Sequence, residues 1–266
     1  MHMQPPMDNG MPVQNMNIEP PLYPLKKERR GLRSLIVVLF FLFAAGVILN
    51  SPLFQIERVI VIGCVNIPES KIVEASGLYP GQNMLSINKE AIEKSINADR
   101  YLIYQDIKKD YTTRTATLYV YERIPVATLQ TLGIQYTLDC MGVVLEQTEE
   151  LSLTDGLIVL TGLKADACIL GSPVVAQAKG QLNAYQAVMY ELNALQSVHT
   201  MSELNVLDMG NLYLVSADGM AVRLGDAQQL HAKIISFFTV KEQLDLMGKT
   251  GGTVDVSIPV YPVYIP

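Results

Sequence analysis

Along most of the chain apolar and polar positions alternate or recur every three to four residues, but one stretch breaks that habit. Leu35 to Leu49, LIVVLFFLFAAGVIL, holds fifteen residues without a polar side chain, and the run continues through Asn50, Ser51 and Pro52 to Leu53 and Phe54. Twenty residues of helix measure about 30 Å, one hydrocarbon core. A helix packed on a protein surface shows a polar face, and this one has none. The five cations before it, Lys26, Lys27, Arg29, Arg30 and Arg33, orient such a span with its N-terminus in the cytoplasm, and Arg33 can reach the headgroups. The pattern therefore predicts a single-pass type II anchor over residues 34–53, with a disordered cytoplasmic tail and basic cluster over 1–33. A cleaved signal peptide fits less well, because the leader is long and no small-x-small site follows the run cleanly. Val61 to Cys64 mimics a lipobox, but Gln55, Glu57 and Arg58 separate it from the apolar run.

After Phe54 the periods change. FQIERVIVIG reads as a strand ending at Gly63. A short helix opens at Pro68 with Ile72, Val73 and Ala75 inward and stops at Gly77, and Asn88 caps a second helix in which Ala91, Ile92 and Ile96 share a face. Strands follow at Leu102 to Lys108 and Thr113 to Glu122, giving a β-α-α-β-β order over 54–123. From 124 to 258 strands are expected at Ala127 to Gln130, Ile134 to Leu138, Val143 to Gln147 and Leu157 to Leu160. An amphipathic helix over Ala176 to Leu195 places Leu182, Tyr185, Met189, Leu192 and Leu195 on one face. LYLVSADGMAVRLG is a hairpin turning at Asp218-Gly219, and Leu230, Ile234, Phe237, Val240, Leu244 and Met247 stripe a further helix. Gly251-Gly252 then releases the chain into a last strand, Thr253 to Ile258, and a tail, 259–266. The fold class is α+β: a transmembrane helix, the β-α-α-β-β domain, and a mixed β-sheet domain with flanking helices.

Composition narrows the chemistry. The chain is 49% hydrophobic and 17% charged, with a net charge of −6 that disfavours nucleic acid as a partner. Cys64, Cys140 and Cys168 are too few and scattered for a disulfide framework or a zinc site, and His2, His199 and His231 add little metal-ligand potential. Gly248-Lys249-Thr250 resembles the end of a P-loop, but Gln243 stands where its first glycine belongs. There is no G-x-S-x-G elbow. Glu146, Glu149 and Glu150 read as a solvated rim, and Tyr101, Tyr104, Tyr111, Tyr119 and Tyr121 as strand packing. No catalytic, cofactor or metal residue is assigned, no small-molecule substrate is implied, and the chain is expected not to be an enzyme.

The β-α-α-β-β order directly after an anchor resembles a POTRA domain of the kind found in the bacterial FtsQ/DivIB division family. Further features carry that resemblance: Glu122-Arg123-Ile124-Pro125-Val126-Ala127, then Asp139 and Gly142 in YTLDCMGVVLEQ, then Leu224-Gly225, Lys233 and Asp255. Cys64 and Cys140 in turns, and a short tail, depart from it. The resemblance implies a non-catalytic divisome scaffold at the septum that binds FtsL and FtsB/DivIC type single-span partners and, indirectly, the septal peptidoglycan synthase. The rivals are an extracytoplasmic cell-wall enzyme whose site forms only in three dimensions, and an assembly factor, which would need a β-barrel or repeated POTRA units.

The partner site is expected on Thr253, Val254, Asp255, Val256, Ser257 and Ile258. Val254, Val256 and Ile258 point one way and Thr253, Asp255 and Ser257 the other. A strand added last at a sheet edge offers unpaired backbone groups to an extended peptide, as the resemblance also implies. The competing arrangement is an edge protected by the tail Pro259 to Pro266. Which strand parity points outward is open at this level.

Overall fold

The computed structural model describes residues 30–150 and 156–266. The expected disordered tail and Lys26, Lys27 and Arg29 lie outside the described residues.

The described residues up to Asn50 belong to one unit, in which α1 spans Arg30–Leu49 and so includes Arg30 and Arg33. The helix ends four residues before the expected limit at 53, because Pro52 disfavours the α conformation at Ser51, and Asn50 turns its side-chain amide back to the Gly46 carbonyl at 2.9 Å. Among the described residues no helix is long and apolar enough to cross a membrane. The side chains of α1 are described only from Ser34 to Leu49, about 24 Å of helix.

Ser51 to Pro266 form the second unit, with two hydrophobic cores. Its first module contains β1 (Arg58–Ile62), α2 (Glu69–Ser76), α3 (Lys89–Ile96), β2 (Leu102–Asp110) and β3 (Thr115–Glu122). The sheet order is β1-β3-β2, with β1 parallel and β2 antiparallel to β3. The alternation in β3 buries Ala116, Leu118 and Val120 against Ile72 of α2 and Ile92 and Ile96 of α3. Asn88 caps α3 as expected, its side chain accepting the Ala91 N–H at 3.2 Å. Strand β1 starts later than expected, because Pro52–Phe54 is a 3-10 turn.

The second module holds β4 (Ala127–Thr131), β5 (Ile134–Leu138), β6 (Val144–Thr148), β7 (Ile158–Thr161), a small β8 (Ala165–Ala167) and β9 (Val175–Ala176) pair, and α4 (Lys179–Ala194). It continues with β10 (Met201–Asn205), β11 (Leu212–Ser216), β12 (Ala221–Gly225), α5 (Leu230–Leu246), β13 (Thr253–Asp255) and β14 (Val263–Ile265). Nine strands make one mixed sheet in the order β14-β13-β12-β11-β10-β7-β4-β5-β6. Tyr185 and Met189 of α4 and Ile234 and Phe237 of α5 join the apolar sheet residues in one core. Met247, expected on the inward stripe, is 68% exposed because α5 ends at Leu246.

The expected last strand needs correction. It covers Thr253–Asp255 only, and it is not the edge: β12 pairs parallel on one side and β14 antiparallel on the other. Val254 and Val256 are buried as the alternation required, whereas Ile258 lies beyond the strand and is exposed.

Candidate functional site

Two places bring together the residues singled out in the sequence. The first is the joint between the modules. Glu122 ends β3 and Arg123 is the first residue beyond it, and the two side chains serve different partners. Glu122, at the buried end of β3, accepts the Val65 and Asn66 N–H groups at 2.7 and 2.9 Å. Burial pushes its carboxyl up, but these N–H donors outweigh burial and hold it below the usual range. Arg123 turns to the other module and pairs with Asp139, which is 2% exposed. One oxygen of Asp139 also accepts the Met141 and Val143 N–H groups at 2.9 and 2.8 Å, closing the β5–β6 turn. Gly142 sits in that turn at φ +74°, where a Cβ would come within 2.6 Å of Leu182 Cδ1. The buried Tyr185 hydroxyl donates to the Asp139 carbonyl at 2.7 Å. Across the joint the Tyr101 hydroxyl donates to Glu146 at 2.5 Å, so Glu146 is a tether as well as a rim residue. Burial first, then that carboxylate, pushes the Tyr101 phenol up.

A cleft of about 580 Å³ opens at this joint, lined by Tyr121, Arg123, Asp139, Cys140, Asn193 and His199 among others. Among the described residues that line it, Asp139 is the one carboxylate, and it is committed to Arg123 and the turn. His231 lies elsewhere, on α5, beside Glu191 of α4 at 2.9 Å.

The second place is the C-terminal end of the large sheet. Lys233, 2% exposed in the first turn of α5, donates to the Asp226 carbonyl and carboxylate at 2.9 and 2.8 Å, fixing the turn after Leu224-Gly225. The orientation of β13 follows from two bonds: Ala221 donates to the Gly252 carbonyl and Val256 donates to the Arg223 carbonyl, both at 3.0 Å. Even-numbered positions therefore face β12, and the backbone groups of Thr253 and Asp255 face β14. This decides the parity that the sequence left open. The Asp255 carboxylate pairs with Arg223 at 3.0 Å and accepts the Ser257 N–H at 2.9 Å. Burial opposes its charge, but these partners prevail and the carboxyl lies below its usual range. Tyr264, central in β14, packs on the core and reaches the Gly251 carbonyl at 3.4 Å, and Lys249 Nζ sits 5.3 Å from its ring centre.

Comparison with known proteins agrees with this architecture. A family model described as "POTRA domain, FtsQ-type" matches residues 54–107, and one described as "Cell division protein FtsQ/DivIB, C-terminal" matches 127–257. The chain belongs to the FtsQ/DivIB family. Two similar relatives, each called cell division protein DivIB, come from Clostridium botulinum strains Hall and Loch Maree. They are 27% and 26% identical over 246 and 245 residues, covering 90% of this chain and 93% of each relative. A solved structure of the major extracytoplasmic domain of DivIB from Geobacillus stearothermophilus is 17% identical, covers 47% of this chain and 95% of its own, and superposes with a TM-score of 0.31. The family places this protein in bacterial cell division, and the match to the FtsQ-type POTRA domain covers β1, α2, α3 and most of β2.

Proposed function

We propose that this division protein is a non-catalytic scaffold. Helix α1 and its flanks anchor it in the cell membrane, with residues 1–33 in the cytoplasm and both folded modules outside. It gathers FtsL and FtsB/DivIC type single-span partners at the septum and, through them, the septal peptidoglycan synthase. The observation that carries the reading is the end of the large sheet, where Thr253 and Asp255 direct their backbone groups away from β12. Those groups pair with β14, and a partner segment in extended form that takes the place of β14 gains the same main-chain bonds without any catalytic group.

Proline variants test it in the full-length protein. Asp255→Pro removes an N–H directed at β14, whereas Val256→Pro removes the N–H given to Arg223 in β12. Asp255→Pro, which loses a bond only to the three-residue β14, should stay folded and lose most of the capture of the DivIC-type partner, while Asp255→Ala retains capture. Wild-type affinity in a folded Asp255→Pro protein would rule out the strand as the site.

A further inference from the structure

Strand β14 closes the large sheet, but its outer edge is a poor template. In antiparallel pairing with β13, Val263 and Ile265 stand opposite Asp255 and Thr253, whose backbone groups point toward them. The positions facing away are then Pro262, Tyr264 and Pro266. Proline has no N–H, so along that edge only Tyr264 can donate, and an incoming strand finds one donor where a regular edge would give three. A partner that adds a strand to this end of the sheet therefore needs the edge of β13 itself.

The hold of β14 on β13 is slight. Three residue pairs join them, and Val263 and Ile265 are 55% and 53% exposed. Tyr264 supplies the remaining contact, and its seat is specific. Gly252 lies beneath the ring at φ +79°, where a Cβ would come within 2.9 Å of Tyr264 Cε2 and 2.6 Å of the Ile265 carbonyl oxygen. The Gly251 carbonyl meets the hydroxyl, and the Lys249 ammonium lies near the ring, an arrangement that favours an aromatic group.

We propose that β14 is a replaceable occupant of a strand-acceptor slot on β13. The partner it gives way to is an extended segment, antiparallel to β13, with an aromatic side chain at its centre to fill the seat over Gly252. The proposal rests on the partner reading above and adds the regulation and side-chain selectivity of the site. Because binding requires β14 to leave, apparent affinity is reduced by the fraction of molecules in which the slot is free, and removal of β14 lifts that reduction.

The test uses full-length protein in nanodiscs and the extracytoplasmic region of the DivIC-type partner as probe. In a background lacking Cys64, Cys140 and Cys168, Thr253→Cys with Ile265→Cys staples a hydrogen-bonded pair, whose Cα atoms lie about 5.5 Å apart, within disulfide reach. Oxidation should weaken binding at least tenfold, and reduction should restore it. A chain ending at Ile258 should bind the probe more tightly than the full chain, and Gly252→Val in that shortened chain should abolish the gain by filling the aromatic seat. An oxidised staple that binds like the reduced protein, or a shortened chain that binds more weakly, would overturn the proposal while leaving the partner reading intact. No binding by either the unmodified or the shortened protein would overturn both.

Discussion

Replacing Asp139 is the sharpest structural perturbation, because one buried carboxylate serves both the joint and the β5–β6 turn. Asp139→Ala removes the partner of Arg123 and strands the Met141 and Val143 N–H groups. Breaking a buried ion pair by removing one member costs about 3–5 kcal/mol, and hydrogen bonds to charged groups contribute about 1.5–3 kcal/mol each, overlapping with that figure. An expected loss of about 4 kcal/mol follows, and at about 2–4 °C per kcal/mol for a unit of this size the melting temperature falls by about 8–16 °C. Asp139→Asn keeps an oxygen for the two N–H groups and loses only the charge, so its drop should be about half as large. Differential scanning calorimetry of the two variants beside wild type reads the difference directly. Equal drops in Ala and Asn would refute the role given to the turn bonds, and a drop below about 3 °C in Ala would refute the whole arrangement.

Acid sensitivity should trace to Glu122. Its folded pKa is lowered, so the stability it contributes is present above the unfolded value near 4.5 and is lost as pH falls through the folded value. Glu122→Gln should flatten thermal stability against pH below about 5 while lowering it at pH 7; an unchanged pH profile would contradict this. Leu132 heads the β4–β5 turn at φ +51° with 98% of its surface exposed, so Leu132→Asn should raise stability by about 0.5–1 kcal/mol in urea unfolding, and a loss would refute the strain assigned there. Replacing His199, His231, Cys64, Cys140 and Cys168 together should leave division normal at normal protein levels. Filamentous cells would revive an enzymatic role.

The first module was readable from sequence because its signals agree: the alternation in β3, the Asn88 cap and the glycine stops all favour one order. Features of the second module were hidden for identifiable reasons. Strand β10 escaped notice because a bulge between Met201 and Glu203 breaks its alternation. Strand β14 is three residues between prolines, too short to show a period, so its cover over β13 emerged only from tertiary pairing. The Glu122-Arg123 element was visible as a motif, but its division of labour was not. Glu122 reaches Val65 across 57 positions and Arg123 reaches Asp139 across 16, contacts that leave no local pattern. The long apolar run was plain, whereas its end at Leu49 depended on the Asn50 and Pro52 turn chemistry.

The central claim is that this protein works by holding single-span division partners. Affinity capture of the tagged full-length chain from gently solubilised membranes, with every co-purifying protein identified and its stoichiometry measured, tests it most directly. The account predicts FtsL and FtsB/DivIC type proteins at near-equal amounts, a smaller share of peptidoglycan synthase, and loss of the DivIC-type protein with folded Asp255→Pro. Recovery of the chain without those partners, in cells where all of them are present, would contradict it.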